Sequence, residues 1–154
     1  MTDKFLINLN YPLDRGILLA SAATARLQSK PYTDSRYPNL KLDDWHIGHY
    51  TDIHIEKIIS DFEVTGKPRF YWLEPFAKIP EHVDNGTQCS INLILSDTPA
   101  PITMQGNDYT YQQCLLNTTV RHSVSNGPVE RIMLKISIFD ETYEHLANRI
   151  KFRV

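Results

Sequence analysis

The spacing of hydrophobic residues changes partway along this chain. Early on it is helical. In "PLDRGILLASAATARLQ", Leu18, Leu19, Ala22, Ala23 and Leu27 fall on one stripe, and Asp14 stands where an N-cap belongs. In "TDIHIEKIISDF", Ile55, Ile58, Ile59 and Phe62 form a second stripe, which Gly66 and Pro68 terminate. A polar connection bearing Pro31 and Pro38 separates the two, and "YPNLKLDDWHIGHY" fits neither period. From Arg69 the period becomes two. "RFYWLEPFAKIPEHVD", "CSINLILS", "QQCLLNTTVRHSVSN" and "ERIMLKISIF" read as strands, divided by "DNG", "SDTPAP", "QGND" and "SNGP". "DETYEHLANR" predicts a short closing helix.

Helices followed by short antiparallel strands predict a mainly β, α+β fold: a jelly roll with the N-terminal helices packed on its major sheet. A length of 154 residues suits one domain. Its expected parts are a helical support over 1–66, a jelly-roll core over 67–139, and a helix and tail over 140–154. The last strand refines this. Ile132, Leu134, Ile136 and Ile138 alternate with Arg131, Met133, Lys135 and Ser137. If the aliphatic face meets the helices, the polar face points into the roll. A polar interior is costly unless it is wet or holds a ligand, so a binding cavity is expected there.

A formal net charge of −2 gives no reason to expect nucleic acid or an anionic membrane as partner. No charged segment precedes a long apolar run at the N-terminus, and nothing nears the ~18 apolar residues a membrane span needs. The expected compartment is the cytoplasm, with Cys89 and Cys114 as two free buried thiols.

Six histidines are present. "HIGH", His46 to His49, matches a nucleotide-binding signature of class I aminoacyl-tRNA synthetases. No buried parallel strand or βαβ alternation surrounds it, so it is read as chance. His46, His49 and His54 are then surface or helix-packing residues. His82 differs, because in "IPEHVDNG" a carboxylate, Asp84, follows two residues later. Side chains two apart in a strand share a face. With His122 in another strand, they have the form of a facial triad of two histidines and one carboxylate, which suits iron(II) with open positions. The competing reading of His82 and Asp84 is a polar strand end running into an Asn-Gly turn. Arg131 lies nine positions past His122, across the "SNGP" turn. There it can pair bidentately with a carboxylate or form a weak surface pair with Glu130.

"LEPFAKIPEHVDN", "CSINLIL", "LLNTTVRHSVSN" and "ERIMLKISI" occur in the order found in the double-stranded β-helix of the 2-oxoglutarate- and iron(II)-dependent oxygenases. The chain resembles that superfamily over Arg69 to Phe139, and most nearly its aspartyl/asparaginyl β-hydroxylase and prolyl hydroxylase branches. The resemblance implies His82, Asp84 and His122 as catalytic iron ligands, and Arg131 as the anchor for the distal carboxylate of 2-oxoglutarate. Lys135 is a weaker alternative anchor. Asn92 and Tyr71 are implied as further cosubstrate contacts. It also implies a dioxygenase that consumes O2 and 2-oxoglutarate, hydroxylates an amino-acid side chain, a peptidyl side chain or another small molecule, and releases succinate and CO2, with ascorbate as a stimulant. Three departures stand out: Phe76 replaces the family's glycine after Pro75, Ser90 replaces an arginine two positions before Asn92, and the gap from Asp84 to His122 is short for the family. The alternatives are a non-enzymatic jelly-roll binding module and a cupin-like metalloenzyme that does not use 2-oxoglutarate.

Overall fold

The computed structural model describes residues 4–32, 44–97 and 99–154. Its strands are β1 (Leu6–Asn8), β2 (Lys30–Pro31), β3 (Trp45–His49), β4 (Lys67–Leu73), β5 (Lys78–His82), β6 (Cys89–Ile94), β7 (Ala100–Met104), β8 (Asn107–Tyr111), β9 (Gln113–Leu116), β10 (His122–Ser125) and β11 (Arg131–Ile138). Its helices are α1 (Arg15–Arg26), α2 (Ile53–Phe62) and α3 (Tyr143–Ala147). The strands form a seven-stranded sheet, β1-β9-β6-β11-β4-β3-β2, and a four-stranded sheet, β5-β10-β7-β8. From β4 to β11 the chain changes sheet after every strand except between β7 and β8, which is the winding of the jelly roll read from the sequence.

The helices cover the outer face of the larger sheet. Asp14 caps α1 by accepting from the Ile17 N–H at 3.1 Å. Asp52 caps α2 through His54 and Ile55 N–H, each at 3.0 Å, and its other oxygen accepts from the buried Ser21 hydroxyl at 2.5 Å. That bond ties the start of α2 to the middle of α1. Ile55, Ile58, Ile59 and Phe62 are all buried, as their spacing predicts. On α1 the buried stripe is Leu18, Ser21, Ala22 and Ala25, so Ala23 and Leu27 lie exposed rather than on the stripe. These side chains pack with Phe70, Trp72, Ile91, Leu93, Leu134 and Ile136 in one continuous core.

Several local expectations change. The first third adds three strands to the larger sheet as well as two helices. "WHIGH" is β3, so His46 and His49 stand on a strand, His46 half-buried and His49 exposed at the surface. His54 is exposed on α2. A Cβ at Gly48 would lie 3.1 Å from the Trp72 ring and 3.2 Å from the Ala25 carbonyl, so packing of α1 over β3 explains this glycine. The segment 69–84 breaks at Glu74–Ala77, placing β4 and β5 in different sheets, and 112–126 divides likewise into β9 and β10. "SDTPAPITMQGNDY", expected as a loop, holds β7 and most of β8. Gln105 and Gly106, with φ 49° and 82°, join them in a two-residue turn. Cys89 and Cys114 are free and fully buried, and burial with nearby Glu141, Glu144 and Asp140 pushes the Cys89 thiol up to about 12.

Candidate metal centre

β5 and β10 pair antiparallel with His82 directly opposite His122. Their rings lie 4.4 Å apart between centroids. β5 ends at His82, so Asp84 sits just past the strand and not on its face. The Asp84 N–H donates to the Thr118 carbonyl at 3.2 Å, and the turn at Gly86, φ 76°, follows directly. Both readings of "IPEHVDNG" therefore hold: a turn ends the strand, and it delivers the carboxylate to the histidines.

His82 Nδ1 lies 2.8 Å from the Pro80 carbonyl, and His122 Nδ1 lies 2.7 Å from the Val120 carbonyl. A carbonyl only accepts, so each Nδ1 carries a proton and each ring turns its Nε2 inward. Both Nε2 atoms lie 3.3 Å from one oxygen of Asp84, Oδ1. Two imidazole nitrogens and a carboxylate oxygen thus face one another, with ligand atoms all within 4.8 Å. Protons on the rings or a cation between them can hold such a set together, and nitrogen–oxygen donors suit a borderline divalent metal.

The second oxygen of Asp84, Oδ2, accepts from Lys135 Nζ at 2.6 Å. Both side chains are about 12% exposed. Burial alone would push the Asp84 carboxyl up, but Lys135 and the two histidines hold it well below the usual carboxylate range. Burial likewise disfavours charge on Lys135, yet Asp84 and the nearby Tyr71 leave its ammonium above the ordinary lysine value. Lys135 is thus committed to Asp84, which the sequence pattern did not reveal.

The triad opens into a cavity of about 200 Å³ inside the roll. Arg131, Met133 and Lys135 of β11 line it, so the polar face of the last strand does border a cavity. Arg131 is 5% exposed and donates to the Pro101 carbonyl at 3.2 Å. It does not pair with Glu130, which forms a fork with Arg26 on the surface. Burial lowers the Arg131 pKa, and neighbouring Tyr111 opposes that. A buried guanidinium with one carbonyl for a partner has donors to spare for a carboxylate.

Asn92 and Tyr71 also line the cavity, at 3% and 5% exposure. Asn92 is held inside the protein: its Oδ1 accepts from Ser90 at 2.8 Å and its Nδ2 donates to the Tyr111 hydroxyl at 3.2 Å. Sequence reasoning missed Tyr111 and Arg69, which border the same cavity. Tyr111 ends β8, a strand the hydrophobic spacing did not mark. Arg69 opens the "RFYW" run, where its inward alternation with Phe70 was the available signal.

The glycine position after Pro75 has a structural counterpart. Phe76 has φ 62°, in the left-handed region, and its N–H donates to the Gly127 carbonyl at 2.9 Å. The Phe76 ring is 70% exposed. The turn between β4 and β5 keeps a backbone shape that favours glycine although the residue is phenylalanine.

No model of a known protein family matches this chain, and no curated protein does. Likeness lies in three dimensions. A Pseudomonas putida prolyl-4-hydroxylase superposes with a TM-score of 0.65 at 13% identity, over 89% of this chain and 93% of that one. A Trichoplax adhaerens prolyl hydroxylase, solved with a hypoxia inducible factor oxygen degradation domain peptide fragment, superposes with a TM-score of 0.62 at 12% identity, over 94% and 86%. At these identities the likeness establishes the fold alone.

Proposed function

We propose that this protein is an iron(II)- and 2-oxoglutarate-dependent dioxygenase that hydroxylates its substrate. One observation carries the reading: two inward Nε2 atoms and one Asp84 oxygen converge at the edge of a cavity that also holds a carboxylate-free arginine, Arg131. His82, Asp84 and His122 hold the metal on one side. Iron(II) with 2-oxoglutarate and O2 supplies the oxidation of a C–H bond, with succinate and CO2 as co-products.

The chain's own part is orientation and exclusion of water. The Pro80 and Val120 carbonyls take the Nδ1 protons and orient both rings, so both Nε2 atoms face the metal position. Lys135 takes one carboxylate oxygen and leaves the other to the metal. Arg131 receives the far carboxylate of the cosubstrate. Ile102, Leu116, Val124 and Met133 form apolar walls that limit water around it.

Metal analysis of the purified protein, a 2-oxoglutarate titration and succinate release with iron and ascorbate test this together. Absence of 2-oxoglutarate binding to metal-loaded protein sinks it. If metal-dependent activity survives Arg131→Ala in full, the protein is instead a cupin-like metalloenzyme that does not use 2-oxoglutarate.

A further inference from the structure

The cavity carries unbalanced charge. Among the described residues that line it, Asp84 is the one carboxylate, facing Arg69, Arg131 and Lys135. Lys135 is paired with Asp84. Arg131 belongs to the cosubstrate end. Arg69 is left over.

Arg69 stands on β4 opposite Lys135 of β11 and His49 of β3. Its Nη2 donates to the Ser137 hydroxyl at 3.0 Å, and its guanidinium lies 5.6 Å from the centre of the Tyr71 ring. Its Nε is buried with no hydrogen-bond partner. A buried donor left unmade costs free energy that a ligand's acceptor recovers.

Arg69 also stands away from Arg131, at the level of Lys135, with its guanidinium reaching further from Arg131. The inward residues of β11 run Arg131, Met133, Lys135, Ser137. Lys135, holding Asp84, marks the level of the metal ligands. Arg131 lies four residues to one side, about 13 Å at ~3.3 Å per residue. Arg69 reaches to the level of Ser137 on the other. Lys30 and Lys67, with Arg69, bear electrostatically on His49, so this rim is basic. Aromatic rings continue from Arg69: Tyr71 lies 6.1 Å from Trp45, which stacks on Tyr32 at 3.9 Å. The Trp45 indole N–H is a second buried donor without a partner.

We infer that Arg69 anchors the substrate, and that the substrate is a small organic acid whose carboxylate meets Arg69 while its apolar body lies along Tyr71 and Trp45. This rests on the dioxygenase reading, which assigns Arg131 to the cosubstrate. A planar guanidinium with a spare Nε–H matches a carboxylate in two parallel bonds. The modest cavity favours a small acid over a longer chain.

The test uses manganese(II)-loaded protein with 2-oxoglutarate, so that nothing turns over. N-acetyl-L-phenylalanine and N-acetyl-L-leucine are titrated beside their carboxamides and a tripeptide with a free C-terminus, read by calorimetry and tryptophan fluorescence. The acids are expected to bind at least tenfold more tightly than the amides. Arg69→Gln is expected to erase that preference, and Arg69→Lys to keep part of it. Thermal melts establish that both variants are folded. A tripeptide binding as well as the single residues moves the source from free acids to chain ends and overturns the small-acid assignment. Equal binding of acids and amides, no binding of either acid, or a preference that survives Arg69→Gln overturns the anchor. A loss confined to 2-oxoglutarate in Arg69→Gln makes Arg69 a cosubstrate residue and overturns it too. Failure of the unaltered protein to bind 2-oxoglutarate sinks the dioxygenase reading instead, and the acid-to-amide ratio measured without 2-oxoglutarate still decides Arg69.

Discussion

Leu134, Ile136 and Ile138 leave one face of β11 and are fully buried beneath α1 and α2, while Arg131 and Ser137 leave the other face and are almost as buried. The outer face is dry, aliphatic and covered by helices whose caps are satisfied. The inner face holds ions, hydroxyls and orphaned donors around a cavity. One strand therefore serves two solvents. Stability is concentrated on the outer face by apolar burial. The inner face tolerates polar groups because each either has a partner or awaits one.

The sharpest way to break this division is Asp84→Ala. It removes a proposed metal ligand and leaves the Lys135 ammonium buried without its partner. Metal uptake should be lost, and urea unfolding should show a destabilisation of about 3–5 kcal/mol. Adding Lys135→Met should recover stability while metal uptake stays absent. A double variant as unstable as the single one would show that the pair does not account for the cost.

On the outer face, Leu134→Ala should cost about 2–5 kcal/mol by opening a cavity in the helix-packed core. Metal and 2-oxoglutarate binding should persist below the melting temperature. Their loss in the folded variant would mean that the two faces are coupled.

Lys135→Met acts on the inner face through Asp84. Releasing the second carboxylate oxygen should weaken metal affinity about 10–100-fold, the usual effect of altering a ligand's supporting partner. Competition with a chelator of known affinity measures it.

Phe76→Gly should raise stability by about 1 kcal/mol, because glycine adopts the φ of 62° without strain and the exposed ring gives up little. An unchanged or lower melting temperature would show that the ring contributes packing that outweighs the strain.

The smallest effect is a pH dependence on the helix side. Burial, with the Asp61 carboxylate that accepts from its hydroxyl at 2.6 Å, pushes the Tyr11 pKa up to about 12. The folded value lies above the unfolded value of about 10. Its contribution is thus complete below about pH 10 and is lost as pH rises through about 12. Tyr11→Phe should flatten the stability profile in that window and leave metal binding unaffected. An equally steep profile in the variant would assign the loss to other groups.

Much of this division was legible beforehand. The alternation along 131–138 told which residues share a face, since the pleat has a period of two. Helical spacing likewise placed Ile55, Ile58, Ile59 and Phe62 on one helix face. His82, Asp84, His122 and Arg131 were chosen on spacing and resemblance, and the fold brings all four to one cavity. Less legible was where strands end. "LEPFAKIP" reads as one continuous run, yet the left-handed turn at Phe76 sends its halves to different sheets. The β7–β8 hairpin was hidden because its polar, edge-like residues carry little hydrophobic period.

By itself, the sequence determined the periods, the cap at Asp14, and the stock of donors and charges. Those depend on neighbours within a few residues. Tertiary structure alone decided that Lys135 meets Asp84, that Glu130 takes Arg26 and leaves Arg131 free, and that Arg69 ends beside Ser137 without a carboxylate. Each of these contacts joins residues 51, 104 or 68 positions apart, or denies one between neighbours. Register between strands sets such distances, and it follows from which faces are buried together and from turn geometry, not from the spacing within one segment.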